Sequence, residues 1–598
     1  MKDKKKVRIG CASGFWGDTS TAAKQLVELG KLNYLVFDFL AEVTMSILAR
    51  AKMKNPKLGY AKDFIDQLSP LLEKIKEDRI IVISNAGGIN PLACRELLQS
   101  LIDEKELDLK IALVIGDDLI SDIIDLKDQG IREIDTGKGL PESCLSINAY
   151  LGVPGILSAL YEGADIIITG RCVDSALVLA PLMYEFNWDI TDYNHLASGS
   201  LAGHIIECGA QCTGGNFTDW KDIKDFDDIG FPIIEAQSNG DFIVSKPEGT
   251  GGMVTFGTVA EQFLYEIGNP AEYFLPDVVC DFRNVTINEI GINKVLVSGA
   301  LGRPPTSQYK ISATYLSGYR IVGTLVIGGE DSATKGSIIG KAIIKKVSRI
   351  LDEKNLGPFT STRYDLLGTD SIYQSNELST HSKEIVLRLV ATHPKKDALV
   401  IFSREIAQAV TGMTPGVINY LGGRPSAFPS IHLYSFFLPK EKIKVKIDIN
   451  NKVKDIKILT KTEHTLEEFE NPPNTNLDIK NELERSVPLI KLAFARSGDK
   501  GDHANIGVIA RKARYLPYIQ NALSCDDIKQ YFSHVIKGEV LMWNVPGING
   551  INFLLKHSLG GGGMSSSLID PQGKAFAQQL LEFQIPIDDE LYREINLK

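Results

Sequence analysis

Five short apolar runs constrain this chain more than anything else in it: VRIGCAS from Val7, YLVFDFL from Tyr34, RIIVISNAGG from Arg79, KIALVIGDD from Lys110 and ADIIITGR from Ala164. Each is too short for a buried helix and too evenly apolar for a strand with one wet face. Runs of this kind belong to a parallel sheet covered by helices on both faces. The segments between them, Thr19–Leu29, Tyr60–Lys76, Asn90–Leu101 and Val153–Glu162, space their apolar residues as helices do. The expectation is an α/β fold with a mainly parallel, doubly wound sheet.

Each run ends on a polar group: Gly10–Asp18, Asp38, Ser84–Asn90, Gly116–Asp118 and Thr169–Asp174. Open α/β sheets bind ligands outside the carboxyl ends of their strands. Asn85, Gly87, Gly88, Asn90, Arg171 and Asp174 are therefore candidates for one cleft. Arg171 suits a carboxylate or phosphate because its planar fork gives paired hydrogen bonds. Lys246 and Arg303 are further cationic candidates of lesser weight. Glycines after strands also serve plain tight turns.

At 598 residues the chain is too long for a single core. Residues 1–280 are expected to form the cleft-bearing α/β domain and 281–449 an α+β continuation with a long helix near Gly336–Leu351. Residues 450–487, lysine-rich and then acidic around ENPPNTN, are expected to be a linker. Residues 488–598 are expected to form a small α+β unit with a helix at Asp526–Phe532.

A net charge of −10 argues against nucleic acid as a partner. No apolar run reaches the roughly 18 residues of a membrane span, and the lysines at the start precede no signal-like apolar region. Eight scattered cysteines form no disulfide framework. The expected location is the cytoplasm. No G-x-G-x-x-G follows the first strand, and neither a P-loop nor a G-x-S-x-G elbow occurs, so nucleotide chemistry and the usual serine hydrolysis are disfavoured.

Two stretches carry chemistry. HIIECGAQC places His204, Glu207, Cys208 and Cys212 on one face if helical. The spacing fits no common zinc rule, so a metal-free acid–base cluster is the preferred interpretation, with Cys208 a thiol nucleophile or a small packed residue. Cys172, beside Arg171, is a second candidate thiol. ARSGDKGDHANIG gathers Arg496, Asp499, Lys500, Asp502, His503 and Asn505 between two apolar runs. It is expected to be a polar loop facing the large domain or a neighbouring subunit; the alternative is a self-satisfied turn.

The blocks SNAGGINPLACRELL, FDFLAEVTMSILAR, TGRCVDSALVLAP, AGHIIECGAQCTGGNF, SKPEGTGGMVT and FARSGDKGDHANIGVIAR together resemble the acyclic terpene utilisation (AtuA) family over almost the whole length. The resemblance implies a large N-terminal domain, a small ferredoxin-fold-like C-terminal domain, and a role in catabolism of acyclic terpenoids and branched acyl-CoA thioesters. It supplies no catalytic residues, so those named rest on motif chemistry. The expected activity is a non-redox lyase or hydratase without a cofactor, acting on a small molecule such as a CoA thioester, in a homo-oligomer. Glu207 or Asp174 would be the base and His204 the acid. Amides at Gly87 and Gly88 would stabilise an oxyanion, and Arg171 would hold an anionic group. The alternatives are a non-catalytic subunit or binding protein of the same pathway, and a metal-dependent lyase built on His204, Glu207 and Cys208.

Overall fold

A computed structural model describes residues 6–373, 382–460 and 483–596. The five apolar runs become five adjacent parallel strands, in the spatial order Lys6–Cys11, Tyr34–Phe37, Ile81–Ser84, Ile166–Thr169 and Ile111–Ile115. Successive residues face opposite cores. Leu35, Phe37, Val82, Leu113 and Ile168 pack with helices Ala22–Leu29, Lys62–Leu68 and Pro91–Glu104. Val36, Ile83, Val114 and Ile167 pack with helices Pro154–Tyr161, Ala176–Phe186 and Tyr193–Ile206. Burial on both sides is why these strands carry no polar alternation.

The sheet continues in antiparallel strands at both edges. Ile233–Gln237, Phe242–Ser245, Lys294–Ser298 and Thr286–Gly291 extend it beyond Lys6–Cys11, and Lys446–Ile449 and Lys452–Asp455 extend it beyond Ile111–Ile115. The chain thus crosses residue 280 within one sheet, and part of the stretch expected as linker is an edge strand. Residues 461–482 of that stretch lie outside the described residues.

A second sheet is organised on one 21-residue strand, Gln308–Gly328. It pairs with Glu384–His393, Phe428–Pro439 and, from the first domain, Ser146–Ala149. Helices Ser332–Glu353 and Lys396–Ile406 cover its apolar side through Ile321, Leu325, Ile327 and Leu387. The long helix is the one expected near Gly336–Leu351.

The C-terminal unit is a four-stranded antiparallel sheet in the order Ala493–Lys500, His503–Ala510, Gly550–Leu555, Val540–Val545. Helix Cys525–Tyr531 lies where expected. The stretch expected to be a loop is instead a hairpin: Lys500 pairs with His503 across a two-residue turn, and Gly501 takes φ +67°. Its polarity marks an interface. Ala493 and Ala495 point into the small domain's own core. The opposite face meets the large domain, where Phe494 stacks on Phe217 at 5.5 Å between centroids.

Two glycines let that face approach. A Cβ on Gly498 would sit 2.3 Å from the Tyr265 ring, and one on Gly507 would sit 2.6 Å from Leu264 Cβ. Two buried asparagines then satisfy the backbone where helix Phe256–Leu264 ends. Asn505 Nδ2 donates to the Leu264 carbonyl at 2.7 Å while its Oδ1 accepts from Glu266 N at 2.9 Å. Asn552 Nδ2 donates to the carbonyls of Ile267 and Gly268 at 2.8 and 2.7 Å. Gly507→Val should therefore cost about 1–3 kcal/mol, as overpacking of a tight core does. Urea denaturation measures it, and an unchanged midpoint would show that the two domains do not pack this closely.

Candidate active site

The carboxyl ends of three neighbouring parallel strands deliver Asp38, Asn85 and Arg171–Asp174 to one place. Gly87 allows two of these ends to meet, since a Cβ there would lie 2.5 Å from the Thr169 carbonyl. Asn85 is fully buried; its Nδ2 donates to Asp38 Oδ1 at 2.6 Å and its Oδ1 accepts from Phe39 N at 2.8 Å. Arg171 is buried and ion-paired with Asp174 at 2.5 Å. Helix Tyr193–Ile206 ends over this group and supplies His204 and, one residue beyond its last turn, Glu207. Carboxylate oxygens of Asp38, Asp174 and Glu207 all lie within 4.8 Å of one another. The structure thus brings together Asn85, Arg171, Asp174, His204 and Glu207, and adds Asp38 at their centre.

Hydrogen-bond geometry assigns the protons. His204 Nε2 lies 3.1 Å from the Phe263 carbonyl oxygen, which only accepts, so Nε2 carries the hydrogen. Burial holds the ring neutral, its pKa lowered to about 4. Nδ1 of that tautomer is an acceptor. Its 2.9 Å contact with Glu207 Oε1 is a hydrogen bond only if Glu207 carries a proton. Burial and the neighbouring Asp174 push Glu207 well above the usual carboxylate range, in the same direction. Burial and Asp174 likewise raise Asp38, against the opposing pull of Arg171.

The surrounding walls are charged and come from distant parts of the chain. Tyr150 lies under the Arg171 guanidinium at 4.2 Å and its hydroxyl donates to Glu42. Burial opposes ionisation of Glu42, yet Lys310, Arg171 and that hydroxyl bring its pKa down to about 2. From the small domain, Lys500 reaches over the Tyr273 ring at 4.8 Å and donates to the Glu266 carbonyl at 3.3 Å. Burial and Lys310 lower its ammonium to about 8, although Glu266, Glu42 and Glu207 pull upward. Burial and Asp499 raise Glu266 to about 7. Lys500 retains solvent access and the Asp174 side chain is 33% exposed, so these groups line an open cleft between the domains.

Other sequence candidates have structural duties. The Gly88 amide donates to the Asn85 carbonyl and is not free for an oxyanion. Asn90 Nδ2 donates to the carbonyls of Pro56 and Leu58, and Lys246 Nζ to Thr250. Arg496 donates to the carbonyl of Asn216 and stacks over Tyr265, clamping the 211–216 segment to the small domain. Arg303 Nη2 donates to the Ala271 carbonyl. His503 Nε2 approaches Asp135 of the large part at 3.7 Å. Asp502, expected to face the large domain or a neighbouring subunit, does not reach the large domain: it accepts from the Gly561 amide and lies 3.1 Å from His557 Nδ1, because the tight turn points it back into its own unit. Burial pushes the Cys172 thiol up to about 12, outweighing Arg171, and raises Cys208 well above the usual thiol range, so neither is a ready thiolate.

Among the described residues, the one His/Cys/Asp/Glu group placed to hold a metal is Asp38–Asp174–Glu207, an all-oxygen set that would suit a hard cation. It is not the His204–Glu207–Cys208 set considered from sequence, since both His204 nitrogens already face other groups. A larger cavity of about 490 Å³ lies elsewhere, along the outer face of helix Pro154–Tyr161 near Leu157, Tyr309 and Ile458. Its surface is mainly apolar, and it shares no residue with the charged cleft. Volume alone offers no chemistry there, so the convergent proton carriers mark the site.

No curated protein matches the chain. Residues 7–449 match the model described as acyclic terpene utilisation family protein AtuA, and residues 487–586 match the AtuA ferredoxin-like domain. No helix among the described residues is long and apolar enough to cross a membrane. With both parts matched, the chain belongs to the AtuA family of acyclic terpene utilisation.

Proposed function

We propose that this protein is an enzyme of acyclic terpenoid and branched acyl catabolism that adds or removes water, or a comparable leaving group, by acid–base chemistry without a redox step. The observation that carries this reading is the His204–Glu207 pair: an acceptor nitrogen, fixed by the Phe263 carbonyl, facing a carboxyl group held in its acid form. Beside it stands Asp174, paired with Arg171. Two carboxyl groups in unlike environments divide the labour of acid and base. In dehydration of a 3-hydroxyacyl group, Asp174 takes the proton from C2, electrons move to form the C2–C3 double bond, and Glu207 protonates the departing hydroxyl as water. Hydration is the reverse. His204 acts through Glu207, keeping its proton in place, and is not itself the donor.

The cations of the cleft fit an anionic or polarised carbonyl group. Lys310 stands over the same Tyr150 ring as the Arg171 guanidinium, Lys500 stands over Tyr273, and a thioester carbonyl gaining negative charge would be stabilised among them. Because Lys500 comes from the small domain, substrate would be held between the two parts of the chain. Family membership supports the pathway, and the absence of nucleotide-binding fingerprints agrees with non-redox chemistry. The CoA thioester as substrate, the lyase or hydratase class and the cytoplasmic setting all belong to this proposal.

The test is turnover of a panel of branched enoyl-CoA and 3-hydroxyacyl-CoA esters, with water incorporation followed by mass spectrometry. Uniform inactivity together with no thioester binding would overturn the reading. Glu207→Gln is the diagnostic variant: its amide can still donate to His204 Nδ1, so stability should change by less than about 0.5 kcal/mol. Turnover should fall about 10²–10⁴-fold with loss of the acid. A large drop in stability instead would mean that Glu207 is ionised against a charged His204, a pair that a neutral amide cannot replace.

The sign of the pH effect follows from the same pair. Glu207 is raised, so its proton is present at low pH and lost as pH climbs through its folded value; activity should decline on the alkaline side. Deprotonation of Lys500 near pH 8 acts in the same direction. A rate that rises steadily from pH 7 to 9 would contradict Glu207 as the acid.

A further inference from the structure

Beside the Arg171 side chain is a small, partly enclosed cavity whose lining includes Arg171, Asn148, Ser312, Tyr150 and Glu42, with room for about 10 Å³. That is close to the space one water molecule needs. Three buried polar atoms on its lining have no protein partner: Arg171 Nε, Asn148 Oδ1 and Ser312 Oγ. They come from the end of one parallel strand, from the Ser146–Ala149 strand and from the long strand Gln308–Gly328. Asn148 and Ser312 are cross-strand partners, so their side chains rise side by side from the second sheet.

The chemistry of the three atoms is complementary to one molecule. Arg171 Nε–H only donates, Asn148 Oδ1 only accepts, and the Ser312 hydroxyl does either. The orientation of the Asn148 amide is fixed independently, because its Nδ2 donates to Asp117 Oδ2 at 2.9 Å and turns Oδ1 the other way. The same Asp117 oxygen accepts from the Arg171 backbone N–H at 2.8 Å. Leaving a buried guanidinium N–H and a buried amide oxygen unpaired is costly, and buried polar atoms are paired almost without exception.

We infer that this cavity is a specific site for a single ordered water, which accepts from Arg171 Nε, donates to Asn148 Oδ1 and exchanges a hydrogen bond with Ser312 Oγ. The water is a positioning element. It fixes the rear edge of the guanidinium to the second sheet, while Nη1 is engaged by Asp174 and the Cys172 carbonyl on the other edge. A cation is excluded by Arg171 itself, and an anion larger than water does not fit.

A crystal structure near 1.5 Å resolution tests this directly. One peak of density within 3.2 Å of all three atoms is expected. Density absent from an intact cavity, or direct pairing of the three atoms after the cavity closes, would overturn the assignment. Ser312→Val provides the second measurement, because its added methyl occupies the space. It should remove one long-lived water from the ¹⁷O relaxation-dispersion signal and turn the guanidinium out of its present pose. The same water count and the same Arg171 pose in the variant would equally defeat the proposal.

Discussion

Everything at the cleft depends on holding three carboxyl groups within 4.8 Å of each other in a largely buried place. Three negative charges at that spacing would repel strongly with little water between them. The protein resolves this by making them unlike. Asp174 faces Arg171, Asp38 receives the Asn85 amide, and Glu207 keeps a proton that it shares with a neutral imidazole. Arg171 is the cation ion-paired with the group, through Asp174. It is held by a stacked tyrosine, a backbone carbonyl and a carboxylate, and its charge opposes the burial that raises Asp38 and Glu207. The Phe263 carbonyl does comparable work at the far end by fixing the His204 tautomer.

The small domain is part of this arrangement. The last turn of helix Phe256–Leu264 presents carbonyls to the C-terminal sheet, and the residues just after it, Glu266 and Tyr273, line the cleft. Docking of the sheet therefore places Lys500 and orders the wall it faces in one step. Across the interface Asn505 and Asn552 bind backbone, which makes the contact depend on the path of the main chain.

The five parallel strands were legible because burial on both faces leaves an unmistakable run of Ile and Val. The outermost edge strand was not: Lys452–Asp455, paired with Lys446–Ile449, is rich in lysine because one edge meets water, and that composition suggested a linker beginning at residue 450. The better signal was the pair between them: Asn450 and Asn451 take φ of 52° and 59°, the backbone of a tight hairpin turn for which asparagine is suited. The Gly501–Asp502 turn was overlooked for a related reason, since charged residues on both flanks obscured the alternation. At the cleft, His204 and Glu207 could be paired from their spacing, and Asn85, Arg171 and Asp174 from the strand ends. Glu42, Tyr150, Lys310 and Glu266 could not, because their approach depends on packing between segments far apart in sequence.

The order of the chain has a consequence for synthesis. The surface that receives the C-terminal sheet, from Phe217 to Gly268, leaves the ribosome well before Asn552, roughly 280 residues later. At about 5–20 residues per second that interval is on the order of 14–56 s. Throughout it, Phe217 and Leu264 lack the cover that Phe494 and Gly507 supply, and the carbonyls of residues 264, 267 and 268 lack their asparagine partners. The nascent large domain thus displays a sticky, unfinished face to the cell, one that chaperones would be expected to shield. Its cleft gains Lys500 only when the final fifth of the polypeptide has been made.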